Sequence, residues 1–96
     1  MLLVWSVDAD RDLDEIVSYI AQDAPAAAVR IEDRIVDQVE TLVHFPELRR
    51  PGRVMGTREL VIVHTPYIAT YRIANDTIRI LRILHGAQRW PDLLPY

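Results

Sequence analysis

Arginine is the residue type with the clearest chemistry in this sequence. All eleven basic residues are arginines, and eight of them lie within residues 49–96. The planar guanidinium group stays charged and binds carboxylates and phosphates through paired hydrogen bonds. Arg82 falls in the middle of an apolar stretch, where an arginine needs a partner or open solvent because an unpaired buried charge is costly. Arg58 opens another apolar stretch, where it is either exposed or bound to Glu59 or a neighbouring carboxylate. Each of the two is predicted either to bind another molecule or to form a structural ion pair. A genome-wide codon bias is an alternative reason for the absence of lysine.

Histidine is the second candidate for chemistry, since its side chain can act as a general base near neutral pH. His85 follows the same apolar stretch as Arg82, but no spacing in the sequence places supporting groups beside it. His44 and His64 end other predicted elements, and the spacing of the three histidines suggests no metal site. There is no cysteine, so disulfides and thiolate metal sites are excluded. We predict no catalytic residue, no metal and no cofactor.

Charge is distributed unevenly along the chain. Residues 1–48 carry three arginines and eleven acidic residues, a net charge of −8, whereas residues 49–96 carry eight arginines and three acidic residues, a net charge of +5. Such asymmetry indicates separate partner surfaces. The length fits one domain spanning residues 1–96. No apolar run approaches the roughly 20 residues that cross a bilayer, and the short apolar start lacks the basic region of a signal peptide. We expect a cytoplasmic protein with no membrane partner.

Two amphipathic helices are predicted after a short strand at residues 1–6. Asp8 or Asp10 is expected to cap the first helix, with Asp12 lying off its apolar face. Pro25 suits the first turn of the second helix. Apolar residues of that helix recur at steps of three and four: Ala28, Ile31, Ile35, Val39 and Leu42. Because few residues join the two helices, they are expected to form an antiparallel hairpin.

Three strands are predicted after a loop or irregular edge at residues 47–56. They comprise residues 58–64, 67–74 and 77–84, with a turn at residues 65–66 and a tight turn at residues 75–76. The last strand is apolar on both sides, which is typical of a central strand. Its alternation places Arg82 on one face with Ile78, Ile80 and Leu84, and Arg79 on the other face with Leu81 and Ile83.

The predicted order is β-α-α-β-β-β. Helices that precede most of the strands favour an α+β domain, with the helical hairpin packed on one face of a small, mostly antiparallel sheet. The other face is expected to carry arginines and to be partly open.

An ordered set of fragments resembles the RelE/ParE toxin superfamily, and its ParE branch most. The fragments cover nearly the whole chain: residues 12–16 with 19–20, residues 23–28, Leu42 with Pro46 and Arg53, residues 56–60 (GTREL), Tyr67 with Tyr71 and Arg72, residues 80–85 (ILRILH), and Gln88 with Trp90 and Pro91. Each fragment alone is weak, whereas the ordered set is specific to the superfamily.

The resemblance implies a bacterial toxin held inactive by a co-expressed antitoxin, ParD-like or similar. ParE-like members poison DNA gyrase, which is a binding function. Other members enter the ribosome and cut mRNA, which is the alternative here. The resemblance places a toxic or partner-binding surface at Arg53, Arg58, Arg72, Arg82, His85, Arg89 and Trp90.

Two departures favour the gyrase-binding alternative over the ribonuclease. RelE-like members carry lysines in the loop before the second strand and a tyrosine shortly after the last strand. Here the loop has arginines but no lysine, and residues 86–90 read GAQRW. We therefore expect a toxin without catalytic activity of its own. A non-toxic member that only binds its partner is the third alternative, and nothing in the sequence separates it from the gyrase-binding toxin. An amphipathic helix of the antitoxin, with acidic side chains, is expected to cover an apolar groove and contact the arginines.

Overall fold

The computed structural model describes residues 1–46 and 50–87. Within them, the elements are β1 (Leu2–Trp5), α1 (Val7–Ala21), α2 (Pro25–Glu40), a 3₁₀ turn (Thr41–Val43), β2 (Arg50–Pro51), β3 (Arg58–Val61), β4 (Tyr67–Ala74) and β5 (Thr77–His85). The strands form one sheet in the order β1-β5-β4-β3-β2. Only the β1–β5 pairing is parallel among these described strands. The predicted α+β fold is confirmed, and β2 is a short edge strand within the segment predicted as a loop or irregular edge.

Ser6 begins α1, so the prediction of Asp8 or Asp10 as the cap is wrong. The Ser6 hydroxyl accepts a hydrogen bond from the Ala9 amide at 3.0 Å and donates one to the Leu81 carbonyl at 2.9 Å. The cap therefore also joins the helix to β5. Asp8 and Asp10 lie in the first turn, where carboxylates favour the positive end of the helix dipole.

Both helices pack on one face of the sheet, as predicted. α2 buries the apolar positions that recur at steps of three and four. The core is formed by Ala9, Ile35, Val39, Leu42, Leu60, Ile62, Ala69, Tyr71, Ile78, Ile80 and Ile83. We call this side of the sheet the helix face and the opposite side the second face.

A β-bulge in β5 overturns the predicted alternation of that strand. Tyr71 pairs with Ile80 but Thr70 pairs with Arg82, so one extra residue lies in β5 at this point. A bulge reverses which side chains point to each face beyond it. Ile83 therefore joins the helix-face core, while Leu84 packs with Ile68 in a separate cluster.

β3 ends at Val61, three residues earlier than predicted. The backbone turns there, with His64 in the left-handed region at φ 66° and the Ile62 amide donating to the Tyr67 carbonyl at 3.0 Å. The Gln38 side chain binds the backbone of Val63 twice, accepting from its amide at 2.7 Å and donating to its carbonyl at 3.2 Å. A side-chain amide thus occupies part of a sheet edge that would otherwise be open.

The tight turn between β4 and β5 is confirmed. Asn75 and Asp76 have φ values of 52° and 59°, the left-handed conformation that a two-residue hairpin turn requires. Asn and Asp tolerate this conformation better than other side chains.

Candidate functional site

Arg82 is bound by Asp12, a residue of α1. The Arg82 Nε donates to Asp12 Oδ2 at 2.6 Å and Nη2 donates to Oδ1 at 2.8 Å, a two-bond fork between guanidinium and carboxylate. The side chains are 20% and 11% exposed. The hydrogen bond with Asp12 raises the pKa of Arg82 above its ordinary value. Of the two roles that the sequence left open for Arg82, the ion pair is present.

The end of β1 explains why Asp12 is buried. β1 pairs with β5 only as far as Trp5 and Ile80, so no described strand pairs with the following part of β5 on that side. There the Ile83 amide donates to Asp12 Oδ2 at 2.9 Å. Asp12 thus satisfies a backbone donor in place of a strand. The prediction that Asp12 lies off the packed face is wrong, since Asp12 is buried. The helix can bury this carboxylate because Arg82 matches its charge.

Glu59 is a second buried carboxylate, with a side chain only 1% exposed. Its Oε1 accepts from Arg50 Nε at 3.0 Å and from Nη2 at 2.8 Å, and its Oε2 accepts from the Arg53 amide at 2.7 Å. The carboxylate therefore holds both ends of residues 50–53 against β3. Nothing in the local sequence identified this role, although a glutamate between Arg58 and Leu60 in an apolar strand is unusual enough to call for a partner.

The loop at residues 50–57 covers part of the second face. Val54 packs on Ile68 and Leu84. The guanidinium of Arg53 donates to the Gly86 carbonyl at 3.2 Å, which links the loop to the chain beyond β5. The second face is therefore covered in part and open in part, as predicted, and Arg53 lies at the edge of the cover.

Arg72 and Arg79 lie side by side on the uncovered part of the second face. They are direct cross-strand partners in the β4–β5 ladder. Both line a shallow pocket of about 330 Å³ with Ala74, Asn75, Thr77 and Leu81. The Arg72 Nε is buried and has no hydrogen-bond partner in the part of the chain that the structure describes, and the same holds for the Thr70 hydroxyl two residues earlier on the same face. An unsatisfied buried donor costs about 1–3 kcal/mol, which an incoming acceptor would recover.

Arg58 lies apart from Arg72 and Arg79. It pairs with Tyr71 in the ladder and alternates with Leu60, so it belongs to the helix face. It lines a pocket of about 360 Å³ at the β2–β3 edge with Pro51, Gly56, Thr57 and Ile73. The structure therefore separates Arg58 from Arg72, although the sequence assigned both to one surface.

His85 and Arg82 line the same pocket, of about 270 Å³, between α1 and the ends of β4 and β5. The His85 ring meets the Tyr67 ring edge-on with centroids 6.0 Å apart, and its Nδ1 accepts from the Ala87 amide at 3.1 Å. Burial raises the pKa of Tyr67 above its ordinary value, and Tyr19 adds to this. Glu15 lines the same pocket. The pocket therefore brings together three groups able to bind or move a proton: Glu15, Tyr67 and His85.

The remaining predicted site residues, Arg89 and Trp90, lie outside the described residues. Over residues 1–46 and 50–87, no group of three or more His, Asp or Glu side chains could hold a metal ion. In the same part of the chain, no helix is long and apolar enough to cross a membrane.

Known proteins are similar to this chain in sequence and in fold. The family model described as the ParE toxin of the type II toxin–antitoxin system parDE matches residues 3–90. The chain is 47% identical over 90 residues to Y4kP of Sinorhizobium fredii, covering 94% of this chain and 93% of that protein. It is 37% identical over 86 residues to toxin RelE2 of Caulobacter vibrioides, covering 90% of this chain and 96% of that protein. Among solved structures, the chromosomal ParDE TA system from P. aeruginosa matches with a TM-score of 0.82 and 34% identity, covering 88% of this chain and 95% of that chain. The chain therefore belongs to the ParE toxin family, within the superfamily that its sequence resembles.

Proposed function

We propose that this chain is the toxin of a type II toxin–antitoxin pair and stops growth by binding DNA gyrase, without catalysis of its own. The carrying observation is the bidentate Asp12–Arg82 pair at 2.6 and 2.8 Å. A ribonuclease needs cationic groups poised to stabilise the growing charge of a phosphodiester transition state. Here Asp12 already binds the Arg82 guanidinium, and Glu59 binds that of Arg50.

A cognate antitoxin, ParD-like or similar, is proposed to neutralise the toxin in a hetero-oligomer. The match to the ParDE system from P. aeruginosa over 88% of this chain supports such a partner. Because gyrase is a cytoplasmic enzyme, the proposal places the toxin in the cytoplasm.

The partner-binding surface is proposed to comprise Arg53, Arg58, Arg72, His85, Arg89 and Trp90. Arg82 acts there as a positioning residue, since its fork with Asp12 fixes the end of β5 that carries His85. The described members of this set lie on both faces of the sheet, so the surface wraps around the sheet edge.

The second candidate is a ribosome-dependent mRNA endonuclease. Two observations favour it: the 37% identity to a relative named toxin RelE2, and the pocket that brings Glu15, Tyr67 and His85 together. A histidine flanked by a carboxylate and a phenol can move protons.

Purified components distinguish the two functions. The full chain is incubated with gyrase, ATP and supercoiled plasmid, and then with ribosomes programmed with a defined mRNA. The proposal expects linear plasmid after detergent and protease treatment, and intact mRNA. Cleaved mRNA with unaffected plasmid would instead establish the endonuclease. Arg34→Gln, an exposed substitution on α2, serves as the control and should behave as the parent chain.

A further inference from the structure

We propose that the pocket between Arg72 and Arg79 binds a side-chain carboxylate from an acidic segment of the antitoxin. The inference rests on the proposed function for the existence of that partner. It adds a site and a chemistry: an aspartate or glutamate side chain held between two guanidinium groups on the second face.

Arg72 and Arg79 lie directly opposite each other on neighbouring strands. Side chains directly opposite each other in an antiparallel pair have Cβ atoms about 5 Å apart, and like charges in this position repel. Arg72 and Arg79 hold this register, and no described residue forms an ion pair with either of them. A single carboxylate between them removes the repulsion and accepts hydrogen bonds from both.

Unused donors carry the second step. The Arg72 Nε and the Thr70 hydroxyl are both buried on the second face, and no residue within 1–46 and 50–87 forms a hydrogen bond with either group. Arg72 also lines the pocket, so a rotation of its side chain towards Arg79 brings Nε to an acceptor there. The Arg72 donor, beside the exposed Arg79 guanidinium, favours a ligand that is rich in acceptors and carries negative charge.

Three other arginines bind carboxylates of this chain, unlike Arg72 and Arg79 among the described residues. Asp12 binds Arg82, and Glu59 binds Arg50 and the backbone of Arg53. Those groups already have carboxylate partners within the chain. Within residues 1–46 and 50–87, no carboxylate completes the same chemistry at Arg72 and Arg79, and the proposal assigns that place to a carboxylate of the partner molecule.

An acidic peptide fits this pocket better than nucleic acid. Binding to the DNA backbone gains its affinity from several Lys or Arg contacts to phosphates at once. This pocket offers two arginines, and the chain as a whole has a net charge of −3. The pocket lining includes the apolar side chains of Ala74 and Leu81. That surface suits the methylene groups of a glutamate rather than a phosphodiester.

The test uses the full chain and a blocked, fluorescent alanine-based peptide with two glutamates one helical turn apart. Its matched control peptide has glutamine at both positions. Affinities are measured by anisotropy for the parent chain, Arg72→Gln, Arg79→Gln and Arg34→Gln. Arg34 is exposed on α2, so its substitution makes the same charge change away from the pocket. Circular dichroism melting verifies that each variant is folded.

The proposal expects the glutamate peptide to bind the parent chain about tenfold more tightly than the glutamine peptide, as charge-assisted hydrogen bonds exceed neutral ones. Arg72→Gln and Arg79→Gln should each lose about tenfold in affinity, and Arg34→Gln less than about twofold. Equal affinity of the parent chain and Arg79→Gln would overturn the proposal. So would duplex DNA binding that depends on Arg72 and Arg79 while the peptide does not bind.

An experiment in cells distinguishes a failure of this inference from a failure of the proposed function. The parent chain and the Arg79→Gln variant are each induced with and without the antitoxin that co-purifies with the parent chain, since Arg79 lines the pocket but is not part of the surface proposed above. Growth arrest by Arg79→Gln that the antitoxin no longer relieves supports the pocket. Relief equal to that of the parent chain contradicts it. A parent chain that arrests no growth refutes the proposed function alone, since the peptide measurement still decides the pocket.

Discussion

Asp12 and Arg82 are 70 residues apart in the sequence and form a two-bond ion pair that joins α1 to the edge of β5. The same carboxylate accepts the Ile83 amide at 2.9 Å. The Asp12 carboxylate therefore accepts a β5 amide that no β1 residue reaches, and it neutralises the poorly solvated charge of Arg82. This contact fixes the end of β5 and the position of His85.

Replacing Asp12 should destabilise the fold more than an ordinary helix substitution. Asp12→Asn removes the charge opposite Arg82 and weakens the bond to Ile83, and we expect a loss of about 2–4 kcal/mol in the free energy of unfolding. Urea denaturation measures this. Asp14→Asn is the matched control, because Asp14 is exposed on the same helix. Equal stability of the two variants would show that the ion pair contributes nothing.

Replacing Glu59 should release the loop at residues 50–57. Glu59→Gln retains the shape of the side chain but loses the charge that binds Arg50 and the Arg53 amide. We expect a loss of about 2–3 kcal/mol in the free energy of unfolding. Hydrogen exchange at the Arg53 and Gly52 amides should accelerate more than exchange in α2. Glu40→Gln, exposed on α2, is the control. Unchanged protection of both amides would contradict the role given to Glu59.

Replacing Ser6 should cost more than the loss of a surface hydroxyl. Ser6→Ala removes the cap of α1 and the bond to the Leu81 carbonyl, and we expect a loss of about 1–2 kcal/mol in the free energy of unfolding. Thermal melting followed by circular dichroism measures the change. Ser18→Ala, on the exposed part of α1, should change stability by less than about 0.5 kcal/mol. If the two variants melt together, α1 is not capped by Ser6.

Stability should fall in alkaline solution because of Tyr67. Burial, with a smaller effect of Tyr19, raises the pKa of the Tyr67 hydroxyl above its ordinary value of 10.0. Between pH 10.0 and the pKa in the folded chain, the unfolded chain has lost this proton and the folded chain keeps it. The free energy of unfolding therefore decreases as pH rises through that window, and this contribution is fully present below it. Urea denaturation at several alkaline pH values should give a smaller decrease for Tyr67→Phe than for the parent chain. An identical decrease would assign the effect to other groups.

Local patterns predicted the elements and the family but not the contacts between them. The helix-forming spacing from Ala28 to Leu42 and the turn at Asn75 and Asp76 depend on neighbouring residues, so the sequence was sufficient to predict them. The bulge in β5 depends on how two strands pair, and strict alternation therefore assigned Ile83 and Leu84 to the wrong faces.

The site was harder to predict because its pairs are distant in sequence. The sequence predicted that Arg82 needs a partner or open solvent and placed Asp12 off the packed face, and only the fold shows that the two residues bind each other. The sequence grouped Arg58 with Arg72, yet the ladder places them on opposite faces. Arg79 received no role from the sequence, since its importance arises from its position opposite Arg72.

Induction of the full chain alone in a bacterial host tests the central claim most directly. DNA and protein synthesis are followed by pulse labelling from the moment of induction. The account predicts that DNA synthesis stops first and that cleaved gyrase–DNA complexes accumulate, with mRNA intact. Protein synthesis that stops first, with mRNA cut at ribosome-bound codons, would contradict it and would assign the pocket of Glu15, Tyr67 and His85 a catalytic role.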